Sequence, residues 1–281
     1  MDMKPKALIL HADGANRDRE AAQAFTLAGA QPEIVHINQL RAGERRWRDY
    51  QLLVLPGGFA YADALGAGKL WALDLTVYFA DEVRAFVDGD KPVIGICNGF
   101  QALVKAGILV GCGEQVVASQ PPVPHESLSP SPAERGRAGE RAHATLTFNA
   151  SGHFECRWVT LAPQSERCLW TRGLRDLIAC PVAHGEGNFM LDDPGALAPD
   201  QIVLTYVRQN GSPAAGAYPF NPNGSLLDIA GVCNVPGNVL GLMPHPEDHI
   251  FPYQHPRWTR GERGQMGLPI FEKGVQYAAG Y

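Results

Sequence analysis

Cys97 sits in the run Gly95-Ile96-Cys97-Asn98-Gly99-Phe100-Gln101, between an apolar segment and residues of helical pattern. That is the setting of a nucleophile elbow, a sharp strand-to-helix turn that projects one side chain into a cleft. Glycines two before and two after the cysteine suit the crowding of backbone at such a corner. A thiol at a helix N-terminus also meets the positive end of the helix dipole, which favours the reactive thiolate. A buried core cysteine ahead of a turn would leave the same G-x-C-x-G trace, so the motif needs partners.

A thiolate nucleophile requires a base, and the base requires a group that orients it. Far along the chain, Met243-Pro244-His245-Pro246-Glu247 closes another apolar run. Glu247, two residues after His245, can reach the distal ring nitrogen, hold the tautomer and stabilise the imidazolium, as the third member of a triad does. An oxyanion formed during acyl transfer needs backbone donors. Pro56-Gly57-Gly58 ends a third apolar run; a bare N–H from Gly58 and the amide of Asn98 would supply two. Alone, Gly57-Gly58 also reads as a tight turn after a strand.

These segments must be brought together by the elements between them. Residues 6–10 (KALIL), 32–37 (PEIVHI), 50–58 (YQLLVLPGG) and 91–97 (KPVIGIC) read as strands. Helical patterns run from Asn16 to about Ala28, Asp81 to Val87 and Asn98 to about Ala106. Continuous apolar strands alternating with helices predict an α/β fold, a doubly wound and mostly parallel sheet flanked by helices. Its active site belongs beyond the carboxyl ends of the strands. Four further strands, 144–149, 154–161, 201–207 and 238–245, add antiparallel β segments to the second half. Residues 119–141 are rich in Pro, Ser, Gly and Arg and read as an insert loop, and 249–281 as a C-terminal extension. Because the second half holds residues that the first half needs, a single domain over 1–281 is expected.

The chain has 281 residues, 45% hydrophobic and 19% charged, enough apolar material for a core without metal or disulfide staples. A net charge of −5 gives no basic face for nucleic acid or an anionic membrane. The six cysteines, at 97, 112, 156, 168, 180 and 233, form no CxxC pair. Their scatter predicts neither a disulfide framework nor a zinc knuckle. The apolar stretch Ala7 to Leu10 is too short for a signal-peptide core. A reduced, cytoplasmic protein is expected.

The elbow, the upstream PGG and the late P-H-P-E are similar to those of class I (triad) glutamine amidotransferases, which share a flavodoxin-like fold. Further matching pieces cover nearly the whole length: LPGGFAYAD (55–63), GICNGFQAL (95–103), FNASGHFECR (148–157), PVAHGEGNF (181–189), NPNGSLLDIAG (221–231) and GLMPHPE (241–247). CNGFQ, AHGEG and NPNGS together resemble one branch, the glutaminase subunits of phosphoribosylformylglycinamidine synthase, from purine biosynthesis.

The resemblance implies that glutamine is hydrolysed through a thioester on Cys97, with His245 as acid–base and Glu247 as its orienter. Gly58 and Asn98 would hold the oxyanion. Gln101, Gly57, Asn149, Ser151, Phe154 and His184 would shape the glutamine pocket, with Glu186 in the same AHGEG run. Ammonia would pass to a synthetase subunit, accompanied by a small accessory subunit. ATP and Mg would bind that partner, and this chain would carry no cofactor or metal. The sequence departs from the branch in two places: Asp13 and Arg17 in the first loop, and Asp248-His249 where Arg commonly follows the glutamate.

Other motifs carry less. His245 and His249 are four apart, but Pro244 and Pro246 oppose the helix a zincin needs, and the glutamate falls one place late. Gly66-Ala-Gly68-Lys69 lacks the upstream glycine and the Ser or Thr of a phosphate loop. Arg257, Arg260 and Arg263 read as a solvated basic cluster or a contact for an acidic partner. Two other functions compete with the glutaminase subunit. One is another triad amidotransferase or a γ-glutamyl hydrolase, against which AHGEG and NPNGS weigh. The other is a non-catalytic member of the same fold, which would have no reason to keep Glu247.

Overall fold

Strands made of unbroken Val, Leu and Ile must be covered on both faces, and helices supply the cover. The computed structural model describes residues 4–110, 144–262 and 266–280. The 119–141 insert, Cys112 and Arg263 lie outside the described residues. In the first half, β1 (Lys6–His11), β2 (Gln31–His36), β3 (Leu52–Leu55) and β4 (Val93–Ile96) alternate with α1 (Asp18–Leu27), α2 (Ile37–Arg41), α3 (Lys69–Leu73), α4 (Ala80–Asp88) and α5 (Asn98–Lys105). The second half contains β5 (Ala144–Thr147), β6 (Glu155–Pro163), β7 (Ile178–His184), β8 (Asn188–Leu191), β9 (Ile202–Val207), β10 (Ile229–Cys233) and β11 (Val239–Leu242). It closes with α6 (Leu268–Ala278).

Nine strands form one sheet in the order β2-β1-β3-β4-β11-β10-β9-β6-β7. Pairing is parallel from β2 through β11 and antiparallel from β11 through β7. The sheet is thus mixed, as expected, with the parallel half continuous. β5 pairs instead with β8 in a separate two-stranded ribbon.

The decisive adjacency is β4 beside β11, in register at Ile96 and Leu242. Both strands run the same way, so the residues just past their ends share one edge of the sheet. Those residues are Cys97 on one side and Met243 to His245 on the other. Gly57 follows β3, and the loop after β1 carries Arg17. Four distant stretches of chain therefore meet at the carboxyl edge.

Several expected bounds shift, for local reasons. α1 begins at Asp18 rather than Asn16 because the N–H groups of Asn16 and Arg17 both donate to the Gly57 carbonyl, at 3.3 and 3.2 Å. β3 ends at Leu55, before Pro56, which has no N–H to extend a ladder. β7, β8, β10 and α6 were not expected as elements. Part of the C-terminal extension is core: Ile270, Phe271, Val275 and Ala278 of α6 are buried, and the Phe271 ring meets Phe25 of α1 edge-on, 5.3 Å between centroids. Gly68 of the phosphate-loop decoy has φ 70° and lies so close to α5 that a Cβ would be 2.7 Å from the Ala102 nitrogen. No described helix is long and apolar enough to cross a membrane.

α5 reaches the sheet because Gly99 is bare; a Cβ there would lie 2.0 Å from the Leu55 carbonyl oxygen. Gly99→Ala is expected to destabilise the fold by about 3 kcal/mol, the upper end for overpacking where backbone must move. Urea unfolding of the variant measures this.

Candidate active site

Cys97 stands between β4 and α5 with φ 50° and ψ −104°, a left-handed backbone that residues with side chains rarely adopt. The conformation is held from both sides: its N–H donates to the Leu242 carbonyl at 2.8 Å and its carbonyl accepts from Gln101 N–H at 3.0 Å. A Cβ on Gly95 would come within 2.8 Å of the Gly99 carbonyl, so the small residues flanking the cysteine answer a steric need. The thiol is 4% exposed and donates to the Ala183 carbonyl of β7 at 3.7 Å.

His245 is fixed by its N–H to the Pro181 carbonyl at 2.8 Å and by Nδ1 to Glu247 Oε1 at 2.7 Å. Both side chains are buried. Burial alone would push the imidazole pKa down. The Glu247 carboxylate and the neighbouring Cys97 sulfur outweigh it and hold the pKa well above the usual value. Nε2 makes no hydrogen bond and is the end of the ring left for proton transfer. The ring edge leans on Gly57, where a Cβ would lie 2.6 Å from Cε1.

Gly58 lies opposite Ala15 in an antiparallel bridge. The bridge's hydrogen bonds come from its neighbours, Phe59 N–H to Gly14 O at 2.9 Å and Asn16 N–H to Gly57 O at 3.3 Å. In such a non-hydrogen-bonded pair the residue's own N–H points away from the partner segment. The amide of Asn98 is in the first turn of α5, where N–H groups have no intrahelical acceptor.

The residues expected around the glutamine pocket divide into struts and rim. The Asn149 amide donates to the His153 and His184 carbonyls at 2.9 and 2.8 Å, and its oxygen accepts from Gly187 N–H at 3.0 Å. The same oxygen pairs with His184 Nδ1 at 3.0 Å, which makes Nδ1 the protonated nitrogen and Nε2 a buried lone pair without a partner. Burial and the adjacent His245 push His184 down to about 3, so it is neutral at working pH. Gln101 donates to the Glu186 carbonyl at 2.6 Å and accepts from Asn98 Nδ2 at 2.9 Å; it braces the AHGEG turn against α5. Ser151 donates to Glu155 at 2.8 Å. Phe154 is half exposed, its ring 6.4 Å from that of Phe59, forming an apolar rim.

Sequence reasoning missed a polar cluster beneath this rim. Asp63 accepts from Asn98 Nδ2 at 2.9 Å, and Glu186 accepts from Ala67 N–H at 3.3 Å with Lys105 3.8 Å away. Burial raises Asp63 and lowers Lys105. The only hints in sequence were Glu186 two after His184 and Asp63 at the end of the PGG segment. His249 is turned away from His245: its Nδ1 meets the Ala179 carbonyl and its ring packs on Trp158, 4.9 Å between centroids. Volume would have pointed elsewhere, since a cavity of about 550 Å³ lined by Trp158, Phe220 and His255 contains none of the converging groups.

Comparison with known proteins agrees with this geometry. The CobB/CobQ-like glutamine amidotransferase domain matches residues 4–278. The phosphoribosylformylglycinamidine synthase subunit PurQ of Treponema denticola is 51% identical over 98% of this chain and 99% of its own. That of Dehalococcoides mccartyi is 40% identical, covering 98% of each. Among solved structures, PurLQS from Thermotoga maritima superposes with a TM-score of 0.70 at 30% identity, over 98% of this chain and 99% of the other. The chain belongs to the PurQ family of glutamine amidotransferases.

Two of the residues that depart from the family pattern, Arg17 and Asp248, meet: Arg17 Nε lies 3.5 Å from Asp248 Oδ2. Burial and the adjacent Glu247 raise the Asp248 carboxyl to about 6.

The depressed His184 has a consequence for stability. The unfolded chain takes up a proton near pH 6.5 and the folded chain only near 3. Stability is therefore intact above the unfolded value and is lost as pH falls from there toward the folded one. His184→Asn is expected to move the midpoint of acid unfolding to lower pH, read by tryptophan fluorescence.

Proposed function

We infer that this chain is the glutaminase subunit of phosphoribosylformylglycinamidine synthase, freeing ammonia from glutamine for a separate synthetase subunit. The carrying observation is the buried His245–Glu247 pair at 2.7 Å, its Nε2 open, next to a cysteine held in a strand–helix corner.

Each step follows from that arrangement. Cys97 gives its proton to His245 Nε2, and the thiolate attacks the glutamine carboxamide carbon. The oxyanion that forms is held by the N–H groups of Asn98 and Gly58, donors already fixed by α5 and the bridge to Ala15 and so needing no reorganisation. Collapse expels ammonia, which takes its proton from the imidazolium, and leaves a thioester on Cys97. His245 then deprotonates a water, and attack on the thioester releases glutamate. Glu247 keeps the ring in the tautomer with Nδ1 protonated and carries the countercharge whenever the imidazolium forms. Gly57 contributes by the absence of a side chain, letting the ring approach the oxyanion segment. Phe154 and Phe59 flank the substrate, and His184 offers a neutral acceptor nearby.

The reading assigns no cofactor or metal to this chain. ATP and Mg belong to the synthetase, which with a small accessory subunit completes a cytoplasmic complex. It is supported by relatives named as PurQ along nearly the whole chain and by likeness to a structure described as PurLQS.

Cys97→Ala is expected to abolish glutamine-dependent synthesis in the reconstituted complex while synthesis from added ammonia continues; loss of both would make Cys97 a structural residue. Glu247→Gln keeps the shape but loses the charge, and is expected to lower glutaminase kcat on the order of 10⁴-fold, measured as glutamate release. The chain without its synthetase is expected to release ammonia slowly, and full activity independent of any partner would remove the partner from the scheme.

A further inference from the structure

Asp248 follows the catalytic carboxylate directly in the turn Pro246–Asp248. Two adjacent acids, Glu247 fully buried and Asp248 mostly so, repel each other in a setting of low dielectric. The opposing charge comes from another element. Arg17, just ahead of α1, approaches Asp248 with Nε and Glu20 with Nη1, at 3.5 and 3.2 Å. Its N–H donates to the Gly57 carbonyl, and its Cγ would lie 3.5 Å from a Cβ on Gly57, the same point that faces the His245 ring. Arg17 therefore touches the oxyanion segment with its backbone and stem, and the acidic end of the P-H-P-E-D turn with its guanidinium.

Resting on the reading of Cys97 and His245 given above, we propose that Arg17 and Asp248 form a latch that positions the Glu247–His245 pair against the Gly57-Gly58 segment. Arg17 is a positioning residue, acting through Asp248 and Gly57 and not on substrate. The latch needs an ionised Asp248. Its carboxyl is raised by burial first and Glu247 second, with His245 and Arg17 opposing and Glu20 adding to the rise, to about 6. On the β7 side the buried Cys180 thiol senses Asp248 and Glu247, burial being the larger cause of its raised pKa. The ion pair accordingly forms as pH rises through about 6 and is lost as pH falls through that value.

The test is the rate at which iodoacetamide alkylates Cys97 in the purified full-length chain, followed by mass spectrometry from pH 5 to 8 for wild type, R17M, R17K, D248N and R17M/D248N. Thermal melts are run in parallel. In wild type the rate should fall through an inflection near the Asp248 value. D248N and R17M should both lack it, and R17K should restore the wild-type profile. At pH 7, R17M and D248N should each react roughly fivefold more slowly, and the double variant no more slowly than either, as directly coupled side chains require. The latch is overturned if R17M and D248N keep the wild-type profile, if their effects add, or if melting falls while the inflection stays. Glutaminase activity that survives complete alkylation of Cys97 would instead overturn the nucleophile on which the latch depends.

Discussion

The left-handed turn at Cys97 is the constraint to which the neighbouring structure is fitted. A non-glycine residue held there costs about 1–3 kcal/mol, and the conformation persists only because the surroundings over-determine it. The Cys97 N–H is tied to β11 through Leu242 and its carbonyl to α5 through Gln101. α5 in turn lies on β3 at the closeness only Gly99 permits. The strand that anchors the nucleophile's amide is the strand that ends in the base. One adjacency, β4 beside β11, therefore both stabilises the strained corner and sets the thiol beside the imidazole.

Two buried histidines a short distance apart behave in opposite ways, and the difference lies in what each ring nitrogen faces. His184 faces a neutral amide, Asn149, and feels the positive charge of its neighbour, so burial wins and it stays uncharged. His245 faces a carboxylate, and the Coulomb attraction overcomes burial. Removing one partner of a buried pair typically costs about 3–5 kcal/mol. Glu247 thus has a thermodynamic task as well as an orienting one. The neutral His184 leaves a buried acceptor near His245 without a second cation that would oppose the imidazolium.

Much of this was legible in the sequence, and for a physical reason. Cys97, His245 and the Gly57-Gly58 segment each follow an apolar run, and a parallel sheet collects strand ends on one edge whatever the chain order. What was hidden depends on contacts between elements whose pairing no periodicity announces. β10 (IAGVC) reads poorly because Gly231 interrupts a five-residue run, and β7 (IACPVAH) because Pro181 sits in its middle, where a proline argues against a strand. α6 was missed because its buried face looks ordinary until Phe271 is seen against Phe25. Gln101 and Asn149 were placed in the substrate pocket by resemblance; their amides are spent between protein groups, which only the hydrogen-bond partners reveal.

Those amides explain the motifs that mark this branch. In NPNGS, Asn221 Oδ1 accepts from the N–H groups of Gly224 and Ser225 at 2.9 and 3.2 Å, folding the segment on itself. Ser225 Oγ then reaches the AHGEG turn, donating to the Gly187 carbonyl at 3.2 Å and accepting from Phe189 N–H at 3.1 Å. From the other side, Gln101 of CNGFQ holds the Glu186 carbonyl and Asn149 holds Gly187 and His184. Three motifs far apart in sequence grip one turn, and that turn carries the His184 ring, whose pKa burial and His245 together lower. Each buried amide left unpaired would cost about 1–3 kcal/mol, so a change in one motif is felt by the others. The Cys97, His245 and Glu247 arrangement suits a chemistry open to many amidotransferases, whereas this clasp fixes the shape of the turn that carries His184 and Glu186.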